Sequence, residues 1–170
     1  MAPFRLDHDE LRHELPWLLM QNGPVTKYWR RDGFEEDIAE VQTRGFRVVR
    51  FDVSSWADED AMYSELRDSL GLPDYMGMGF DSLADALTDL DVPEEGGVVV
   101  ALDSFTETAR TDTLLEVLAR ASRWWLLFGR VFAILLRTDD PGYLGPTSLG
   151  ATQAQWNRRE WLTAKRHPLT

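Results

Sequence analysis

The chain has 170 residues, 44% apolar and 28% charged, the size and make-up of one soluble globular domain with a sizeable core. Its 18 Lys and Arg against 29 Asp and Glu give a net charge of −11, which argues against a nucleic-acid binder, because phosphate contacts need a basic face. With no cysteine, disulfides, thiolate metal sites and cysteine nucleophiles are excluded, and the three His stand at 8, 13 and 167, leaving none for a His-centred site in mid-chain.

Leu11, Leu15, Leu18 and Leu19 recur at helical spacing, with Pro16 restricting where that helix runs and Gly23-Pro24 breaking it. Val25–Trp29 reads as a short strand and Phe34–Arg44 as a helix stopped by Gly45. Phe46–Val53 reads as a stronger strand. Ser55, with Asp58 three residues on, is a candidate cap for a helix over 57–70 that Gly71 and Pro73 stop. A loop at 74–79 leads to a helical pattern from Phe80 to Leu90. Val98–Leu102 has the unbroken apolar character of a strand buried on both faces. Thr111 or Asp112 is expected to cap a long helix that ends at Gly129 and leads into a strand at Val131–Leu136. A Gly/Pro-rich segment follows to Gly150, and Trp156–Arg166 reads as a short helix. Strands alternating with helices predict an α/β fold, a small parallel sheet of three or four strands with crossover helices.

The charge is local. The 42 residues between Arg67 and Arg110 hold ten acids and no Lys, Arg or His, while the rest of the chain is close to neutral. In the helical stretch 80–90, Phe80, Leu83, Ala84, Leu87 and Leu90 form an apolar stripe, and Asp81, Asp85 and Asp89 project from the other side at successive i, i+4 spacings. Each like-charge pair costs about 0.2–0.5 kcal/mol, and Asp89 stands at the end the helix dipole disfavours. Such a face either keeps a protein soluble or recognises a cationic partner. Tyr75 and Phe80 beside the acids favour recognition, since aromatic anchors in a charged surround mark interface centres. Gly77 and Gly79 let the backbone approach a partner closely.

Leu72-Pro73-Asp74-Tyr75-Met76-Gly77-Met78-Gly79-Phe80-Asp81-Ser82-Leu83-Ala84-Asp85-Ala86-Leu87 resembles the signature of the barstar family of intracellular ribonuclease inhibitors, Leu-Pro-acid-Tyr-Tyr-Gly-x-Asn-Leu-Asp-Ala-Leu-x-Asp-Ala-Leu. The resemblance covers residues 46–137, and the flanks resemble a longer, actinobacterial subgroup. It divides a single domain into a barstar-like core over 46–137, a helix/strand/helix extension over 1–45 and a C-terminal extension over 138–170 packed on the core. It implies a cytoplasmic, antitoxin- or immunity-type inhibitor rather than an enzyme, acting as a monomer in a 1:1 complex with a basic ribonuclease or RNase-type toxin. It implies no cofactor or metal, and neither nucleic acid nor membrane as partner. By position, Asp85 corresponds to the central anchoring acid, Asp81 to the acid one turn earlier and Tyr75 to the tyrosine that covers a catalytic histidine; Phe80 and Thr88 line the contact. The full expected contact set is Tyr75, Gly77, Gly79, Phe80, Asp81, Leu83, Ala84, Asp85, Thr88 and Asp89. Departures from the family pattern are Met76 for Tyr, Gly79 for Asn, Ala84 and Leu90 for Trp, and Arg120 for a late-helix acid, with Glu116 one turn earlier as a substitute.

Two other readings stand beside this one: a non-inhibitory interaction scaffold on the same fold, motivated by the extensions, and a hydrolase using Asp81 and Asp85 as an acid–base pair. Asp7, His8, Asp9 and His13 read as the polar face of a first helix rather than as metal ligands. The first ten residues carry acids where a leader would be apolar, and Trp124–Leu136 is broken by Gly129 and Arg130 and too short to span a bilayer. Trp124 and Trp125 are expected to pack at a helix end, and Trp156 and Trp161 to pin the C-terminal segment.

Overall fold

A computed structural model describes residues 14–147, 149–150 and 152–166. The histidines and the Asp7–His13 group lie outside them. The elements in chain order are α1 (Leu15–Gln21), β1 (Val25–Tyr28), α2 (Arg31–Thr43), β2 (Phe46–Asp52), α3 (Glu59–Leu70), α4 (Phe80–Thr88), β3 (Gly97–Phe105), α5 (Ala109–Leu126), β4 (Phe132–Thr138) and β5 (Gln155–Trp156). Short 3-10 turns cover Val53–Ser55 and Thr163–Arg166.

All strand pairs are parallel, in the order β2-β3-β4-β1-β5. The sheet therefore has five strands rather than three or four, the fifth only two residues long. β1 lies inside the sheet, all four of its residues buried. Strand alternation divides the core. Val99, Ala101, Ala133 and Leu135 point to the face covered by α1 and α2, where Leu15, Leu19, Phe34, Ile38 and Val41 meet them. Val98, Val100, Leu102, Ile134 and Leu136 point to the opposite face, under α3, α4 and α5. Right-handed crossovers explain this split: β1 to β2 travels one way along the sheet and β2 to β3 to β4 travels back, which places the connecting helices on opposite faces.

Several caps differ from expectation. Asp58, not Ser55, caps α3 by accepting from Ala61 N at 2.8 Å, and Gly71 closes that helix at φ 69°. Thr108 caps α5, and Thr111 answers it from three residues on as the second half of a capping box. Trp156–Arg166 is not a helix. Its start joins the sheet as β5, because Asn157 bonds the Lys27 carbonyl through both its amide N–H and its side chain, each at 3.0 Å. Trp156 does help to pin the segment, lying between Lys27 Nζ at 4.6 Å and the Arg166 guanidinium at 4.4 Å. Trp161 is 68% exposed, and its hold on the segment is through its backbone carbonyl, which accepts from Arg166 Nη1 at 3.0 Å. Trp125 packs as expected, whereas Trp124 is exposed at the end of α5 with Leu127 and Phe128. No helix among the described residues is long and apolar enough to cross a membrane.

Candidate interaction surface on the acidic helix

Leu83, Ala86 and Leu87 bury one stripe of α4 in the core, which leaves Asp81 and Asp85 exposed one turn apart on the outer side. The helix starts at Gly79, whose φ of 137° puts the 74–79 loop and α4 at an angle that a side-chain-bearing residue adopts only with strain. At the other end the Trp125 indole donates to the Leu87 carbonyl at 3.0 Å, satisfying one acceptor that the helix end leaves open. The short acidic helix is thus fixed to α5.

The expected contact set separates by burial into three groups, with Asp89 set apart from the other exposed residues by its hydrogen bond. Asp81, Asp85, Thr88, Tyr75 and Gly77 are exposed, Tyr75 by 62%. Gly79, Phe80 and Ala84 are half-buried, and Phe80 spends its ring on Tyr63 in an edge-to-face contact at 5.4 Å. Leu83 is fully buried, so it supports the helix from the core and does not present a side chain to a partner. Asp89 stands just beyond the last residue of α4, at φ −102° and ψ 6°. Its carboxylate accepts the Tyr75 hydroxyl at 2.6 Å, so the three acids are not equivalent: among the described residues Asp81 and Asp85 have no such side-chain partner, and Asp89 does. That hydrogen bond raises the Tyr75 pKa, with burial and the Asp89 and Asp85 charges adding to it. Thr88 turns its hydroxyl back to the Asp85 carbonyl at 2.7 Å.

Two residues outside the expected set belong to this surface. Ser82 Oγ accepts from Gly77 N at 2.8 Å, tying the loop to the first turn of α4. Met78 is 53% exposed between Gly77 and Gly79; an apolar residue held between two glycines before a helix is the signal that identifies it. Met76, which replaces a family Tyr, is buried and anchors the loop instead of facing outward.

The acid-rich stretch is less uniformly free than its sequence. Asp103 is paired by Arg137 and, at 2.7 Å, by Arg31; burial pushes its carboxyl up, but those bonds outweigh it and hold the group below the usual range. Arg130 pairs with Glu94 at 3.0 Å and Arg67 with Asp68. Among the described residues no basic side chain pairs with Asp74, Asp81, Asp85 or Asp89. Four acids without a basic partner are therefore gathered on α4, its C-cap and its loop, with Asp91, Glu95 and Glu107 further along the same stretch.

Neither Asp81 nor Asp85 lines the cavities at α1/β1/β5, between α1 and the end of α5, at the start of α2 or near Tyr143. No group of three or more metal-ligating side chains occurs among the described residues.

The sequence model of one family, described as Barstar (barnase inhibitor), matches residues 46–137, more than half of the chain. That span runs from β2 through β4 and contains the acidic helix, its loop and α5, while β1 and β5 lie outside it. No curated protein matches the chain.

Proposed function

The chain belongs to the barstar family, and from that premise we propose that it binds a basic microbial ribonuclease, or a toxin of that type, and occludes its active site with α4 and the preceding loop. The observation that carries this reading is the pair Asp81 and Asp85, exposed one turn apart with no basic partner among the described residues. A ribonuclease active site is built from Arg, Lys and His to hold phosphate. Carboxylates at helical spacing stand in for that phosphate, with Tyr75 as an exposed aromatic beside them. Inhibition needs no covalent step: access is blocked for as long as the complex lasts. The charge of −11 speeds encounter with a cationic partner and makes the association rate fall with salt. The inhibitor acts in the cytoplasm as a monomer in a 1:1 complex.

The test is titration of a barnase-type ribonuclease during RNA hydrolysis. Activity should fall linearly to zero at one equivalent of wild-type protein, and an Asp81→Asn/Asp85→Asn variant should leave the enzyme active. Full activity in the presence of excess wild type would overturn the reading for this class of nuclease.

A second reading, a scaffold for another protein, is favoured by one observation. Leu127 and Phe128 are 80% and 60% exposed beside Trp124, in a strip flanked by exposed Arg120 and Arg123. Binding of a partner that survives Asp81→Asn/Asp85→Asn but is lost in Leu127→Glu would select it.

A further inference from the structure

The loop before α4 is fastened at both ends of that helix, by a side chain of its first turn and by its C-cap residue. Gly77 N donates to Ser82 Oγ at 2.8 Å near its start, and the Tyr75 hydroxyl donates to Asp89 Oδ2 at 2.6 Å at its end. Between these ties, Met76 is buried and its N–H closes a turn on the Pro73 carbonyl at 3.0 Å. A segment whose residues 74, 75, 77 and 78 are all exposed is thus held at three points. Free loops lose affinity when they order on binding, at a cost of roughly 0.5–1.5 kcal/mol per immobilised side chain. A loop already held in place avoids that loss.

We propose that Asp89 and Ser82 are positioning residues, which hold Tyr75 and the 74–79 backbone ready for the partner and leave direct charge contact to Asp81 and Asp85. This rests on the inhibitor reading above. Asp89 sits where the helix dipole disfavours an acid, so helix stability does not account for it. Its hydroxyl partner does: the bond joins residues 14 apart and lays the Tyr75 side chain along the acidic helix. Among the described residues neither Asp81 nor Asp85 has such a partner.

One readout needs no nuclease. In the free protein, hydrogen exchange at the Met76 and Gly77 amides, which donate to the Pro73 carbonyl and Ser82 Oγ, should quicken about three- to tenfold in Asp89→Ala and in Tyr75→Phe, and at Gly77 in Ser82→Ala. Asp89→Asn keeps an oxygen that accepts the hydroxyl proton and should exchange like wild type. A second readout is affinity for a barnase-type ribonuclease. Asp89→Ala and Tyr75→Phe should each weaken binding about three- to tenfold, the double variant should lose no more than either alone, and Asp89→Asn should restore most of the loss. If Asp89→Asn weakens binding as much as Asp89→Ala, Asp89 is a charge contact and the positioning role fails. Unchanged amide exchange in Asp89→Ala also refutes it. Absence of any wild-type binding would overturn the inhibitor reading instead, and amide exchange would still decide the loop assignment.

Discussion

Replacing Glu160 with Ala probes how the C-terminal segment is joined to the sheet. Glu160 is 2% exposed and accepts from Trp29 N at 2.9 Å, Arg30 N at 2.8 Å and Asn157 Nδ2 at 2.5 Å. Its carboxylate therefore sits at the N-terminal end of α2, where the helix dipole favours negative charge. Asn157 in turn holds the Lys27 carbonyl, so loss of Glu160 loosens the contact that makes β5. Leaving two backbone N–H groups without acceptors costs about 1–3 kcal/mol each, and a loss of about 3 kcal/mol in all is a large share of a total of roughly 5–15. Urea unfolding followed by Trp fluorescence should show that loss, with a fall of about 10 °C in Tm at this chain length. Glu160→Gln, which keeps one acceptor oxygen, should lose about half as much. An Ala variant within about 0.5 kcal/mol of wild type would show that the segment is not held through this carboxylate.

Three further outcomes follow. Lys27, buried on β1 with its ammonium on the Tyr143 and Leu144 carbonyls, has its pKa lowered to about 8 by burial and then by Arg166, against a smaller opposing effect of Asp140. Because the unfolded chain holds that proton up to about 10.5, Lys27 alone makes stability rise with pH between about 8 and 10.5, by at most about 1.4 kcal/mol per unit, and Lys27→Met should remove that rise in urea unfolding at pH 8, 9 and 10. Above about 10 the trend reverses, since Tyr28 and Tyr143 have raised pKa values through burial and the nearby Asp37 and Asp112, and the fold prefers their protonated forms; a stability curve still climbing at pH 11 would contradict this. Gly97→Ala should destabilise by about 3 kcal/mol, because φ is 147° and a Cβ there would meet the Val131 carbonyl oxygen at 2.4 Å; a wild-type melting curve would refute that.

The parts of the fold that were legible in the sequence are those whose residues decide locally. Val98–Leu102 is a continuous apolar run, and it is a strand buried on both faces. The long helix over α5 and the acidic helix announce themselves by period. Trp156–Arg166 misleads because its conformation depends on partners about 130 residues away, the Lys27 carbonyl and the backbone of Trp29 and Arg30. Charge is misjudged for the same reason. Asp103 and Glu94 count as part of a basic-free stretch along the chain, yet Arg31, Arg137 and Arg130 reach them in space. At the site, spacing finds Asp81 and Asp85, but it treats Asp89 as a third equivalent acid because the Tyr75 bond crosses from a loop of irregular geometry. For Leu83 the spacing is the better guide: it places the residue in the apolar stripe, where it is fully buried, whereas the family resemblance counts it among the contacts.

The most direct test of the inhibitor account is calorimetric titration of a barnase-type ribonuclease with wild type and Asp85→Ala, repeated at two salt concentrations. The account predicts a 1:1 complex for wild type, an affinity at least about 30-fold weaker for Asp85→Ala, and a clear loss of wild-type affinity at the higher salt. Equal affinities for the two proteins would contradict it.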